Sequence, residues 1–249
     1  MTEVVYTEEI VPPFYAFDFA GNMKISSLID TMILASEHQL HAGNAGSDDM
    51  VEKGFGWVVV QYHMDIIKMP QKDQKLVVST QAESYNKFFL YRNFWIDDEE
   101  GNRLVTLESS FVILDINQRK IISAAESLDN FFGAEQTSKI KRFARLPKVS
   151  KDESDNNRDQ HIGYYNIDIN GHVNNSYYFD WMLDSLDMEF LSSHQVGSVD
   201  IKYEKELDID STPTVYSTYN PEDMTSIHWI ESDNQENVIA KISWEDIPS

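Results

Sequence analysis

Hydrophobic and polar positions follow the same order twice along the chain, first at helical spacing and then at strand spacing. Apolar side chains recur three and four residues apart between Ile25 and Ile33, which predicts an amphipathic helix. The same spacing returns at Tyr178, Met182, Leu186 and Phe190. Runs rich in β-branched and aromatic residues follow each helix and predict strands over 57–69, 76–84, 88–96 and 103–114, and then over 199–207, 214–219, 226–231 and 238–244.

The two rounds are similar in sequence as well as in pattern. Gly, Ser, Asp and Met recur at matching places in 21–32 and 171–182, at an offset of 150 residues. Residues 77–80 match 215–218 at an offset of 138, so we align Glu206 with Lys68. The repeat predicts an α+β protein made of two copies, 1–133 and 158–249, joined by a linker over 134–157 that contains Pro147 and lacks periodicity.

The composition of the chain excludes several kinds of functional site. The chain has 249 residues, 41% of them apolar, with no cysteine and a formal net charge of −22. Disulfides, thiolate metal sites and a cysteine nucleophile are therefore excluded, and a nucleic-acid partner is disfavoured. We see no signal peptide and no apolar run that is long enough for membrane insertion, so we expect a cytoplasmic protein.

One basic cluster interrupts this acidic composition. Six of the 20 basic residues fall on the predicted linker: Lys139, Lys141, Arg142, Arg145, Lys148 and Lys151. The cluster is either a solvated linker surface or a docking patch for an acidic protein.

The densest polar segment, 166–175, lies directly before the second helix. Asp168, Asn170 and His172 are two residues apart, so an extended backbone would place them on one side. We expect Asn175 or Ser176 to cap the helix, whose N–H groups could stabilise an oxyanion.

The first copy lacks most of this chemistry. At the offset of 150, Asn170 and His172 align with Ala20 and Asn22, whereas Asp168 aligns with another aspartate, Asp18. The second copy therefore has the candidate catalytic groups, and the first copy has only the scaffold.

The segment from Asp168 to Asn175 resembles the active-site motif of the acyl-acyl-carrier-protein thioesterases of plants and bacteria. Residues 57–70, 111–117 and 201–206 are similar to other segments of that family, so the resemblance covers nearly the whole chain. It implies two tandem hot-dog domains, each a long central helix wrapped by an antiparallel sheet. It also implies that the first domain binds the acyl chain and that the second is catalytic.

The resemblance implies a thiolester hydrolase that releases free fatty acid from acyl-acyl-carrier protein without a cofactor or a metal. Its catalytic set would be Asp168, Asn170, His172 and Glu206. Many members have a cysteine after the acidic residue, but this chain has Leu207 there. Water, or a carboxylate, must then attack the thioester. Whether His172 or Glu206 takes the proton stays open.

Several alternatives remain at this point. The same fold could act on acyl-coenzyme A, serve as a dehydratase or bind acyl groups without catalysis. Asp168 could be purely structural. A metal site at His38 and His41 is disfavoured, because no further ligands lie nearby in sequence. The sequence leaves both a monomer and a homodimer open.

Overall fold

A computed structural model describes residues 4–128 and 131–247 of the chain. In the first half its elements are β1 (Val5–Ile10), α1 (Ile25–Ala42), α2 (Ser47–Glu52), β2 (Phe55–Ile66), β3 (Leu76–Tyr85), β4 (Leu90–Asp98), β5 (Arg103–Asp115), β6 (Lys120–Ile122) and α3 (Ala124–Ser127). In the second half they are β7 (Glu135–Gln136), β8 (Asn156–Asp159), α4 (Tyr177–Leu183), α5 (Met188–Ser193), β9 (His194–Tyr203), β10 (Thr214–Asn220), β11 (Thr225–Ser232) and β12 (Gln235–Asp246).

The strands form one sheet whose order repeats around its centre. The order is β1-β3-β4-β5-β2 in the first half and β9-β12-β11-β10-β8 in the second, so each strand has a counterpart in the other half. Main-strand neighbours are antiparallel throughout this order. The predicted duplication and the tandem hot-dog arrangement are thereby confirmed.

Four strands, β1, β6, β7 and β8, were not predicted from the sequence. β1 and β8 are the outer edges of the sheet, and each precedes the helix of its copy. β8 consists of Asn-Asn-Arg-Asp with every residue exposed, so it carries no hydrophobic pattern. Edge strands are often polar, because only one side of their backbone is paired within the sheet.

The apolar stripe of α1 packs against the sheet, as its spacing predicts. Leu28 and Met32 are fully buried against core residues such as Met64 and Phe94. α1 also contacts α4, and there the repeated polar residues meet. Ser176 lies close to Asp30, and Ser26 lies close to Asp180, which is the counterpart of Asp30. Burial raises the pKa of both carboxyls.

The second central helix differs from the prediction of one long helix. α4 ends at Leu183, and α5 begins at Met188. The intervening residues include Asp184, Ser185 and Asp187, and the Ser185 hydroxyl donates to the Met182 carbonyl at 2.6 Å. Aspartate and serine side chains compete for backbone hydrogen bonds in this way, which disfavours a continuous helix.

The segment after β2 aligns with the segment after β9 at an offset of 137, not 138. Ile67 and Lys68 both donate their N–H to the Leu104 carbonyl, and Glu204 and Lys205 both donate to the Asn237 carbonyl. The structural counterpart of Lys68 is therefore Lys205. A one-residue slip exchanges the two faces of a strand, and sequence similarity alone did not detect it.

The segment predicted as a linker crosses the outer face of the sheet in an extended conformation. Lys141 contacts Glu83 at 2.6 Å and Glu108 at 3.2 Å, which lie on β3 and β5. The Ala144 carbonyl accepts a hydrogen bond from Gln61 on β2 at 3.4 Å. This segment also includes β7, which pairs in parallel with β3.

The two halves of the sheet join where β2 pairs with β9, from Gln61 to Asp65. Across this seam His63 Nδ1 lies 2.8 Å from Asp200 Oδ1, and His63 Nε2 lies 3.3 Å from Asp65 Oδ2. The hydrogen bond to Asp200, together with the charges of Asp200, Asp65 and Glu108, raises the pKa of His63 to about 9.

We expect the substitution His63→Gln to lower the free energy of unfolding by about 1 kcal/mol at pH 6, allowing for the partial exposure of the pair. A histidine whose pKa is raised on folding stabilises the protein below its unfolded pKa of about 6.5 and loses that effect as the pH rises through about 9. Urea unfolding between pH 6 and pH 10 measures this. A difference that does not vary with pH contradicts the prediction, and the exposed residue His161, changed to Gln, is the control.

Candidate active site

A cleft opens where the seam ends. β9 pairs with β2 only as far as Lys202 opposite Gln61, whereas β2 begins further out, at Phe55. On the side of β2 that faces the second copy, the residues before Gln61 therefore lie opposite the loop 168–172 and the segment 204–206. Among the described residues, no strand pairs with them on that side. The cleft between them has a volume of about 420 Å³, and all four predicted catalytic residues line it.

Asp168 organises the turn that carries Asn170. Its N–H donates to the His172 carbonyl at 2.8 Å, and its carbonyl accepts from Gly171, whose φ is +84°. Its Oδ1 accepts from the Asn170 N–H at 2.8 Å, and its Oδ2 accepts from the Asn170 side-chain amide at 3.2 Å. Asp168 thus orients the amide of Asn170 and not the imidazole of His172.

The first copy builds the same turn without the chemistry. Asp18 donates its N–H to the Asn22 carbonyl at 2.8 Å, and its Oδ1 accepts from the Asn22 N–H at 2.9 Å. Gly21 has a φ of +85°, matching Gly171. The aspartate therefore has a structural part in both copies, and Ala20 offers no amide for it to hold.

His172 and Glu206 come together in the cleft although 34 positions separate them. His172 Nε2 lies 3.1 Å from Glu206 Oε2, and both side chains are about 30% exposed. The adjacent Val173 N–H donates to the Leu207 carbonyl at 2.8 Å, which ties the two segments together. The Leu207 N–H in turn donates to the Tyr178 hydroxyl at 3.3 Å.

Tyr178 stays protonated beneath this pair. Burial raises the pKa of its phenol, and the negative charges of Glu206 and Asp168 raise it further. Tyr178 is thus a neutral hydrogen-bonding group that supports the segment after Glu206.

The counterpart of Glu206 in the first copy is Met69, which corrects the alignment with Lys68. Met23 donates its N–H to the Pro70 carbonyl just as Val173 donates to Leu207, so the residue before Pro70 matches Glu206. Met69 is a buried thioether, 5% exposed. The first copy therefore lacks the carboxylate, as expected, but the residue in its place is Met69 and not Lys68.

The predicted oxyanion donors at the helix N-terminus are engaged elsewhere. α4 begins at Tyr177, and the side chain of its N-cap residue, Ser176, makes no capping hydrogen bond. The Ser176 N–H donates to Asn174 Oδ1, and the Tyr177 N–H donates to the Asn174 carbonyl. The side-chain amide of Asn170, by contrast, lines the cleft.

Arg119 reaches the site from the first copy and was not predicted. Its Nη2 lies 3.2 Å from Glu206 Oε2. It belongs to the turn between β5 and β6, far from the motif in sequence. The residues around it in the sequence gave no indication of a role at the site.

Two family models together match most of the chain. The family model described as the acyl-ACP thioesterase N-terminal domain matches residues 3–131, and that of the C-terminal domain matches 149–246. The chain belongs to the acyl-ACP thioesterase family. A solved protein from Lactobacillus plantarum, provisionally named an oleoyl thioesterase, is 32% identical with a TM-score of 0.94, over 99% of this chain and 98% of that one.

More distant relatives of this acyl-ACP thioesterase family member are similar to it in structure or in sequence. The 12:0-ACP thioesterase of Umbellularia californica is 18% identical with a TM-score of 0.87, over 98% of both chains. The palmitoyl-acyl carrier protein thioesterase of Gossypium hirsutum is 21% identical over 211 residues, which are 80% of this chain and 47% of that protein. The chain thus spans about half the length of the curated relatives it matches.

A second cavity of this family member lies between α1 and the sheet of the first copy. It holds about 100 Å³, and Trp57 borders both this cavity and the cleft. Its other walls are mainly apolar and include Ile33, Leu40, Leu90, Phe111, Leu128 and Phe132.

Histidines and acidic residues of the described ranges form ion pairs and not a metal site. Within 4–128 and 131–247, no three His, Asp or Glu side chains are grouped so that they could hold a metal ion. His38 and His41 instead pair with separate carboxylates, Glu8 and Asp49. No helix in the described part of the chain is long and apolar enough to cross a membrane.

Because both copies build the same turn, Asp18→Asn and Asp168→Asn form a matched pair. We expect each to lower stability by a similar amount, about 1 kcal/mol, since each weakens hydrogen bonds to backbone N–H groups. Only Asp168→Asn should also slow thioester hydrolysis, because only Asp168 holds a side-chain amide. Thermal unfolding and single-turnover rates of both variants measure this, and equal losses of rate would contradict it.

Proposed function

We propose that the chain hydrolyses the thioester of fatty acyl-acyl-carrier protein, releasing free fatty acid and ending chain elongation. The contact between His172 and Glu206 in the cleft, with Asn170 beside it, carries this proposal. The family membership supports the reaction class, and the confinement of these three groups to one copy supports a preserved catalytic role.

The chemistry is direct attack by water. The Glu206–His172 pair removes one proton from a water molecule, whose oxygen bonds to the thioester carbonyl carbon. The tetrahedral intermediate then collapses, the carbon–sulfur bond breaks, and the thiolate takes up the proton held by the pair. The products are a carboxylic acid and the free thiol of the carrier. The chain has no cysteine, so no thiol of its own can act as nucleophile.

Asn170 is the proposed donor to the oxygen that gains charge. Asp168 occupies one side of its amide, which fixes the direction of the other N–H. A preorganised donor of this kind contributes about 3 kcal/mol in known enzymes.

The acyl chain is proposed to enter the first copy past Trp57. The cavity there is mainly apolar and adjoins the cleft, as a hydrocarbon site requires. The first copy, residues 1–133, would then bind the chain while the second, residues 158–249, does the chemistry. A cytoplasmic location and the choice between monomer and homodimer stay predictions.

We expect Glu206→Gln to lower kcat by 10²- to 10⁴-fold, because a positioned general base contributes about that much. Glu204→Gln is the matched control: it lies two residues away on the same segment and pairs with Lys202. Steady-state hydrolysis of an acyl-acyl-carrier protein measures both variants. Unchanged kcat in Glu206→Gln and in His172→Ala would refute the proposed site. Parallel assays with the matched acyl-coenzyme A decide between the two thioester substrates.

Two lysines of the predicted basic cluster are paired with carboxylates of this chain. Lys141 is bound to Glu83 and Glu108, and Lys151 lies 2.7 Å from Glu231. Arg142 and Arg145 are exposed and flank Ala144, whose carbonyl contacts Gln61 opposite Lys202 at the cleft. We propose that these two arginines attract an acidic carrier protein.

The double substitution Arg142→Glu and Arg145→Glu should raise the KM for acyl-acyl-carrier protein about tenfold at low salt, with a much smaller effect at 0.5 M salt because the charges are exposed. The KM for acyl-coenzyme A and the kcat should change little. Lys68→Glu with Lys72→Glu makes the same charge change on exposed residues beyond the far end of β2. Equal effects of the two double variants would show that only overall charge matters.

A further inference from the structure

Arg119 lies on a turn of the first copy that several hydrogen bonds hold in place. Asp115 holds this turn: its Oδ1 accepts from the Gln118 N–H at 2.8 Å, and its Oδ2 accepts from the Gln118 side-chain amide at 3.0 Å. The Ile116 N–H donates to the Gly54 carbonyl at 3.0 Å, which fixes the turn to the start of β2. The base of the Arg119 side chain is therefore well placed relative to the cleft.

The backbone at Arg119 is unusual for this residue type. Its φ is +52°, in the left-handed region. Of the seven described non-glycine residues with positive φ, four are Asn or Asp, the types that tolerate this conformation best. Glycine or asparagine would relieve strain at position 119, so the arginine is not explained by the requirements of the turn.

The side chains of Arg119 and His172 contact the same carboxylate oxygen of Glu206. Arg119 Nη2 lies 3.2 Å and His172 Nε2 lies 3.1 Å from the same atom, Glu206 Oε2. The other oxygen, Oε1, has no hydrogen-bond partner among the residues that the structure describes. The hydrogen bond from Arg119 to Oε2 sets the rotation of the carboxylate, with His172 Nε2 beside the same oxygen, and leaves Oε1 available in the cleft.

We infer that Arg119 is a positioning residue for Glu206: together with His172 it holds Oε2, so that Oε1 is the atom that accepts the proton of the attacking water. This inference rests on the proposed function. It makes the active site a product of both copies, since the first copy supplies a cation that the motif of the second does not contain.

The other charged groups around Glu206 do not replace Arg119. On its own segment, Glu204 pairs with Lys202, and Lys205 donates to the Gln235 side chain. Across the cleft, the Asp168 carboxylate is bonded within its own turn. Tyr178 is neutral, because burial raises the pKa of its phenol. Hydrogen bonds from Ser211 lower the pKa of Asp208, which keeps that nearby carboxylate ionised.

Arg119→Gln tests this role, with Arg119→Lys as the conservative variant. We expect Arg119→Gln to lower kcat about tenfold, because Oε2 loses the donor that sets the rotation of the carboxylate and a misplaced reacting group slows the reaction. Arg119→Lys should restore most of the lost kcat. The KM and the melting temperature should change little, since the ion pair is largely exposed.

The neighbouring exposed residue Lys120, changed to Gln, is the matched control and should leave kcat unchanged. An unchanged kcat in Arg119→Gln would overturn the inference. So would a change confined to KM, which would place Arg119 in carrier or substrate binding, or a lower melting temperature without rescue by lysine. Absence of thioester hydrolysis in the unmodified chain would instead remove the proposed function itself.

Discussion

The pairing of β2 with β9 is the interaction on which the rest of the structure depends. It joins two copies of one fold into a single sheet, and it is short, running only from Gln61 to Asp65 on the β2 side. Because both strands extend beyond the paired stretch, each end of the seam leaves one strand edge open. The candidate active site fills one of these openings. A longer seam would have closed the cleft with backbone hydrogen bonds and left no room for Glu206 beside His172.

The two copies show how a scaffold persists when its chemistry does not. Asp18 and Asp168 build the same turn, and Asp30 and Asp180 make the same contact with a serine across the helix interface. These groups satisfy backbone or helix contacts, so they stabilise the fold of both copies. Asn170 satisfies no such contact beyond Asp168. The first copy therefore forms the same turn with Ala20 at this position.

The first copy nevertheless takes part in the site. It contributes Trp57, which borders both the cleft and the apolar cavity, and Arg119, which contacts Glu206. The extended segment between the copies crosses the sheet beside the same cleft. An acyl chain, a carrier protein and the reacting groups would thus meet at one place, each served by a different part of the chain. This division explains physically why one copy alone would be an incomplete enzyme.

The sequence by itself determined the class of fold, the duplication and the cluster from Asp168 to His172, because periodic burial and local turn chemistry are encoded in neighbouring residues. Tertiary structure decided what depends on distant segments. It added the edge strand β8, which has no hydrophobic pattern, and it showed that Met69, not Lys68, is the counterpart of Glu206. It also brought Arg119 to the site. Strand register and contacts between copies arise from the packing of remote surfaces, and no local pattern of residues records them.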